Sequence, residues 1–452
     1  MAEHLSTKRL ERALHLSTVE GMLYGAMQGA GEHFTSAYAI ALGATNGQIA
    51  ALVSLPQLLG AVAQGTAARL GRLIRHQKRW VVAAALGQDL LWLPILYVGF
   101  VTLPDGYAVW WLIAALTLYT MFSAVASVVW GSIMAEAVPD RIRGRYFGGR
   151  SRWSNLANMA AFLGAGGLLY LLRGNGVWGF AAVFGLAFLF RAVSTGLLTT
   201  LPETPHTAQE RRTLGLGRFL KELFTTNLGK VLLYMFCLSF VVNLASPYFT
   251  PYMLRDLGFD YLTFTLLEMA TIVAAVLSVT HWGAAADKAG NQKMLRISGV
   301  LVGIVPLLWL FSDNVFWLAF AQFYSGVVWA GFNLVSVNFI YDATTPENRI
   351  AYLGYFNAGT GLAVAAGALC GGLIIRYVPE LQGSAMLSVF LVSGVLRLLT
   401  GFIFLPQIKE VRRVRVIKAA ALFHILLGGS PVHRPSHHGR MHHSFRLHGH
   451  RE

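Results

Sequence analysis

The chain is 452 residues long, 55% hydrophobic and only 13% charged, with a mean hydropathy of +0.54. Soluble domains carry about a quarter charged residues, so this composition excludes a water-soluble fold of this size. The formal charge of +15 would suggest nucleic acid in a soluble protein, but its distribution along the chain points instead to a lipid surface.

A helix needs about 20 mostly apolar residues to cross the hydrocarbon. Such runs fall at 19–42, 47–68, 80–102, 107–135, 154–172 and 177–200, and again at 231–253, 261–282, 294–312, 315–340, 354–376 and 384–406. The first run is too long for a signal-peptide core and is expected to serve as its own insertion signal. The interval 201–230, with Pro202, Pro205 and mixed charge, separates two groups of six. The expected organisation is a cytoplasmic N-terminus 1–18, a six-helix bundle 19–200, a linker 201–230, a second bundle 231–406 and a basic tail 407–452. Alternate loops divide by charge. One set holds Arg69, Arg72, Arg75, Lys78, Arg79, Arg141, Arg143, Arg145, Arg150, Arg152, Arg211, Arg212, Arg218, Lys221, Lys230, Lys288, Lys293, Arg296 and Arg349, and the other only Arg173, Arg255 and Arg376. By the positive-inside rule both termini face the cytoplasm, against anionic headgroups. Cys237 and Cys370 fall inside predicted helices and read as small packing residues rather than a disulfide.

The halves repeat. A shift of 206 positions places Glu136 on Asp342, Arg143 on Arg349, Tyr146 on Tyr352, Gly148 on Gly354 and Arg191 on Arg397. Five coincidences at one offset argue for a duplicated six-helix unit, an arrangement in which rocking one half against the other exposes a central site alternately.

Two loops carry a family resemblance. Gly283-Ala-Ala-Ala-Asp287-Lys288-Ala-Gly290-Asn-Gln-Lys293 resembles the loop signature of the major facilitator superfamily, and Pro139-Asp-Arg-Ile-Arg143-Gly144-Arg145 resembles the basic loop after its fourth helix. Glu20-Gly21, Ala39-Ile-Ala-Leu-Gly43-Ala44, Leu55-Pro56 and Trp329-Ala-Gly-Phe-Asn333-Leu are similar to a bacterial branch whose substrates are mostly unassigned. The resemblance covers residues 18–406 and implies an all-α fold of about twelve transmembrane helices in two six-helix pseudo-repeats, in a bacterial inner membrane. Gly283 is expected to allow close helix approach, and Asp287 to latch one access state by accepting hydrogen bonds at the cytoplasmic face. The first half departs from the signature: Gly65 is followed by Arg69 and Gly71 with no acid between.

Ionisable groups at membrane depth are costly and mark functional positions. On helix 1, Tyr24, Gln28 and Glu32 are spaced by four and share a face, with His33 beside Glu32 and a parallel stripe of Gly21, Gly25 and Gly29. Glu32 with His33 is the leading proton-coupling candidate, with Glu268 of helix 8 as a second; a buried polar cluster that merely joins helices is the competing reading. Asp89 and Arg191 are expected to form a structural ion pair in the supporting helices, and Arg397 to snorkel toward the interface. The resemblance implies that helices 1, 4, 7 and 10 line the cavity, which singles out Tyr119, Ser123, Ser127 and Trp130, then Asn243 and Tyr248, then Trp329, Asn333 and Asn338. These side chains suit a neutral or amphipathic solute, although interhelical hydrogen bonding explains any one of them equally well.

No Gly-rich phosphate loop, zinc-protease helix or nucleophile elbow is present, so no enzyme and no cofactor are expected. Eight of the fourteen histidines lie beyond residue 407, including His437-His438 and His442-His443. Three readings stand at this point: a monomeric, proton-coupled carrier of a small solute, a non-transporting scaffold or sensor of the same fold, and a carrier of a metal ion or metal complex. Metal ligation itself is assigned to no residue.

Overall fold

The computed structural model describes residues 7–70, 76–101, 104, 106–200 and 215–411. The His-rich tail, the first-half loop residues Arg72 and Gly71, and Arg211 and Arg212 lie outside these residues.

Nine helices among the described residues are long and apolar enough to cross a bilayer on length and composition alone. Three more complete a set of twelve: the first helix, Asp140–Leu171 and Asn291–Leu308, whose charged ends lower their average hydropathy. In chain order the first half comprises α1 (7–41), α2 (Asn46–Leu70), α3 (77–100), α4 (Tyr107–Ala137), α5 (Asp140–Leu171) and α6 (Val177–Leu198). After a short linker helix, Leu216–Thr225, come α7 (227–256), α8 (Tyr261–Ala289), α9 (Asn291–Leu308), α10 (Val315–Ala343), α11 (Pro346–Ile374) and α12 (Ala385–Phe404).

The two halves have the same internal packing. In the first, α1 packs on α5 and α6, α2 and α3 on α4, and α3 on α6; in the second, α7 packs on α11 and α12, α8 and α9 on α10, and α9 on α12. The offset of 206 survives at the level of single bonds. Arg143 donates to the Val138 carbonyl at 3.2 Å and Arg349 to the Thr344 carbonyl at 3.4 Å, so donor and acceptor are both related by the repeat. Tyr146 reaches the Leu14 carbonyl on the first turns of α1, while its counterpart Tyr352 donates to Glu222 of the linker helix. The linker helix thus stands where α1 begins in the first half.

Without water to solvate backbone, helices in a membrane approach one another where side chains are small. The stripe on α1 does this against α5: a Cβ on Gly25 would lie 2.2 Å from the Ser154 carbonyl oxygen, and one on Gly29 2.1 Å from that of Asn158. In the second half the glycines change sides. Gly367 and Gly371 of α11 face the Phe240 and Leu244 carbonyls of α7, each at 2.2 Å from the missing Cβ.

Two spans are interrupted. Helix α1 breaks after Ala30, passes through a 3-10 turn at Glu32–Phe34 and resumes at Thr35–Ala41. Gly31 sits at the corner because a Cβ there would meet the Trp92 ring at 2.3 Å. Helix α7 breaks at Ser246–Tyr248, where Pro247 removes a donor, and ends in a single π turn, Tyr252–Asp256. Irregular backbone at this depth is tolerated only inside protein or along a cavity.

Between the halves, α2 lies along α11 and α5 along α8. The end carrying the 43–45 loop is closed. Arg255 donates to Asn46 Oδ1 at 3.1 Å and to the Ala44 carbonyl at 2.5 Å, Tyr248 to the Asn46 carbonyl at 3.5 Å, and Phe34 meets Phe264 at 6.2 Å between ring centroids. These bonds all lie at the end opposite the arginine-rich loops.

Candidate functional site

Two cavities lie between the halves. One, of about 330 Å³, is lined by His33 and Phe162 of the first half and by Phe249, Glu268, Trp329 and Arg397 of the second. The other, of about 270 Å³, lies nearer the arginine-rich end and is lined by Tyr24, Gln57, Ser123 and Ser127 opposite Asn357 and Gly361.

The break in α1 falls at Glu32 and His33, of which His33 lines the first cavity and Glu32 turns into the first bundle. Tyr119 donates to Glu32 Oε1 at 2.7 Å and Gln28 Nε2 to its Oε2 at 3.1 Å, while the Glu32 carbonyl accepts from both the hydroxyl and the backbone N–H of Thr35. Both carboxylate oxygens are therefore held by neutral donors. His33 points elsewhere: its ring lies 4.5 Å from that of Phe162 and its Nε2 is 3.3 Å from Asn158 Oδ1 on α5. Glu32 and His33, adjacent in sequence, serve two different neighbourhoods because successive residues around a helical turn diverge.

Glu268 faces the cavity and accepts from Gln322 Nε2 at 2.8 Å. Arg397 does not snorkel. It is buried, and its guanidinium donates to Ser393 Oγ at 3.1 Å and to the Val302 and Val242 carbonyls at 3.3 Å each. With Ser393 donating to the Val241 carbonyl at 2.7 Å, α12 grips α7 just before its break. The nearby carbonyls of an interrupted helix supply acceptors that hydropathy cannot reveal.

The anticipated Asp89–Arg191 salt bridge is also replaced. Arg191 Nη1 donates to Ser194 Oγ at 3.2 Å and the guanidinium lies over the Tyr24 ring at 4.9 Å, while Asp89 Oδ1 has no hydrogen-bond partner. The direct ion pair belongs to Glu20, whose Oε2 meets Arg150 Nη2 at 2.7 Å and whose Oε1 accepts from Ser194 at 3.0 Å. Arg150 in turn lies 4.1 Å from the centroid of Trp130. Glu20, Tyr24, Gln88, Ser123, Trp130 and Arg191 enclose a chamber of about 160 Å³ inside the first bundle. Sequence reading had Glu20 and Arg150 only as motif and loop residues. Their 130-residue separation hides the pairing, although Glu20 lies one turn from Tyr24 on the same face.

The remaining cavity candidates divide. Tyr24 and Ser123 are hydrogen-bonded at 3.2 Å and, with Ser127, line the space between the halves. Trp329 lines the first cavity. Trp130 faces the inner chamber rather than the space between halves, since Arg150 covers its ring. Tyr248 is fully buried in the closed end, and Asn243 donates to its own helix at Ser239, 2.9 Å away. Asn333 is exposed and Asn338 half-buried, both outside the cavities described above.

At the loop signature, Gly290 is the glycine the backbone requires, with φ of +90° between α8 and α9. Gly283 is not a point of tight approach, since a Cβ there would meet Leu334 at an ordinary 3.6 Å. Asp287 is exposed and engaged by a neighbour, with Lys288 half-buried next to it, and Arg145 is exposed. The next residue after Gly290, Asn291, is buried and donates to Asp342 of α10 at 2.6 Å. Among the described residues no group of three His, Cys, Asp or Glu could hold a metal ion.

Comparison with known proteins agrees with this architecture. The family model of the Major Facilitator Superfamily matches residues 18–267 and 231–435. Over 144 residues the chain is 31% identical to the multi-drug resistance efflux pump PmrA of Streptococcus pneumoniae, covering 32% of this chain and 34% of that one. Over 133 residues it is 25% identical to the class B tetracycline resistance protein of Escherichia coli, covering 29% and 31%. The chain thus matches about a third of the length of these relatives. Among solved structures, the nucleoside transporter NupG superposes with a TM-score of 0.68 at 14% identity, covering 89% of this chain and 99% of that one. The Escherichia coli xylose transporter XylE, in a partially occluded inward-open conformation, superposes with a TM-score of 0.62 at 15% identity, covering 91% and 100%. Identities this low speak to the fold alone. The family model spans both bundles, and the duplicated helix packing around a central cavity is the same in each half: the chain is an integral membrane protein of the major facilitator superfamily.

Proposed function

We propose that this chain is a secondary transporter that moves a small amphipathic solute by alternating access, with Glu32 coupling the movement to protons. The observation that carries the reading is the interruption of α1 at Glu32–Phe34, which holds the Glu32 carboxylate between Tyr119 and Gln28, next in the chain to His33, a wall residue of a cavity spanning both halves. Broken helices at binding sites are a recurring device of secondary transporters, because they present unpaired backbone and charge to a solute without exposing either to lipid. Aromatic walls from Phe162, Phe249, Phe264, Trp309 and Trp329, with Glu268 as an acid among them, suit a solute with an apolar body and a polar or cationic end. The relatives whose names refer to multi-drug and tetracycline resistance favour the same class. If the arginine-rich loops are cytoplasmic, the closed end is external and the structure faces inward.

The test is transport in liposomes under an imposed pH gradient, with ethidium, tetracycline, a nucleoside and xylose as probes. Movement of at least one probe that follows the gradient, and loss of that dependence in Glu32→Gln with the protein still monodisperse, is the expected result. Gradient-independent flux in both forms would remove the coupling role, and no flux of any probe would remove transport by this set of solutes.

A further inference from the structure

The linker helix Leu216–Thr225 divides its surface three ways. Phe219 and Leu223 are buried against the second half, with Phe219 stacked on Tyr355 at 4.3 Å between centroids. Leu216, Leu220 and Phe224, spaced by four and therefore on one face, are 58%, 48% and 67% exposed. The remaining face carries Arg218 and Lys221, both exposed. Three large apolar groups in line on ten residues are unfavourable in water.

The corner after this helix fixes its level. Thr226 Oγ1 donates to the Glu222 carbonyl at 2.8 Å and accepts from Gly229 N–H at 2.9 Å, and a Cβ on Gly229 would lie 2.1 Å from that same carbonyl oxygen. The helix is folded tightly against the first turn of α7 and against the start of α11. Its polar face carries Arg218, paired with Glu222 at 2.8 Å, and the additional positive charge of Lys221, at the end where the basic loops gather.

We propose that Leu216–Thr225 is an interfacial helix whose Leu216–Leu220–Phe224 stripe lies in the acyl boundary of an anionic leaflet, with Arg218 and Lys221 at headgroup level. Hydrophobic burial and attraction between basic side chains and anionic headgroups act together at that depth. Because the same helix holds α11 through Tyr352 and Tyr355, lipid composition bears directly on the end of a span that lines the interface between halves.

The test uses the full chain with Cys237→Ser and Cys370→Ser, labelled with an environment-sensitive nitrobenzoxadiazole dye at Leu220→Cys or, as a control on the polar face, at Arg218→Cys. In phosphatidylcholine vesicles containing phosphatidylglycerol, the dye at 220 is expected to emit to the blue and to be quenched by lipids carrying a nitroxide at a shallow position, while the dye at 218 stays water-like. One basic residue near an anionic surface enriches such lipid about fivefold, so nitroxide-labelled phosphatidylglycerol should quench the 220 dye more than the phosphatidylcholine analogue at equal mole fraction. Water-like emission at 220 would overturn the proposal. Blue emission that no lipid nitroxide quenches would also overturn it, since protein would then cover the stripe. As a measure on the unmodified chain, amide exchange across 216–225 in nanodiscs should slow severalfold when phosphatidylglycerol replaces phosphatidylcholine, and identical rates would count against the anionic preference.

Discussion

Replacing Glu20 by Gln removes one charge from a pair that the bundle has already desolvated. The Glu20 side chain is 6% exposed and that of Arg150 16%, with 2.7 Å between Oε2 and Nη2. Breaking a buried pair by neutralising one partner costs about 3–5 kcal/mol, because the other charge is left without compensation. Gln keeps one oxygen acceptor for Arg150 or Ser194, which places the expected cost near the lower bound, at about 3 kcal/mol. For a cooperative unit the size of one half, that corresponds to a drop in melting temperature of about 6–12 °C. Thermal denaturation of purified protein in detergent, followed by tryptophan emission, reads it directly. Two companions locate the cause. Ser194→Ala leaves the ion pair standing and should cost about 1 kcal/mol. The double variant Glu20→Leu with Arg150→Met removes both charges and should recover much of the loss, as apolar replacements of buried pairs often do. A Glu20→Gln melting temperature within about 2 °C of the parent would refute the reasoning, because a fall that small corresponds to no more than about 1 kcal/mol.

The close approach of α1 and α5 makes a sharp comparison. Gly25→Val asks the two helices to separate by about an ångström, since a Cβ would stand 2.2 Å from the Ser154 oxygen, at an overpacking cost of about 1–3 kcal/mol or more. Gly164→Ala, which meets nothing within 4 Å, should be silent; fluorescence-detected size exclusion separates the two outcomes. At the linker helix, hydrogen bonds from Tyr352 and then Arg218 hold the Glu222 carboxyl below its ordinary 4.5. A depressed carboxyl contributes stability above its unfolded value and loses it as pH falls through the folded one. The docking of 216–225 should therefore loosen only below about pH 4.5, read by amide exchange, and Glu222→Gln should flatten that response; loosening that persists unchanged in Glu222→Gln would assign it elsewhere.

Much of this architecture is readable along the chain, because lipid imposes length and hydropathy on every span. The offset of 206 proved stronger than a count of matching letters: Arg143 and Arg349 bind carbonyls that are themselves 206 apart. The bend in α7 is legible in Pro247, whereas the interruption of α1 is not. Residues 19–42 read as one continuous apolar run, and the corner at Gly31 is imposed by Trp92 from another helix. Polar partnerships were the least legible. Asp89 looked the natural companion of Arg191 from helix positions alone, yet the arginine turns toward Ser194 and Tyr24. Arg397 lacks an acid and so reads as an interface residue, when the backbone carbonyls of Val302 on α9 and Val242 on α7 supply what it needs. The amphipathic linker helix lay within an interval that composition marked only as polar.

The closed end is fastened by Arg255 and Tyr248 to the Ala44 carbonyl, the Asn46 carbonyl and the Asn46 amide oxygen, and no carboxylate takes part in these three bonds. When such a fastening parts, nothing charged is stranded on the α2 side, and each released oxygen is rehydrated at once. The Tyr248 bond is worth about 0.5–1.5 kcal/mol and each bond from the charged Arg255 about 1.5–3 kcal/mol, a total of the same order as the few kcal/mol that separate interconverting conformers. The seal is therefore worth several times thermal energy, yet within what differential ligand binding can supply without a dedicated trigger.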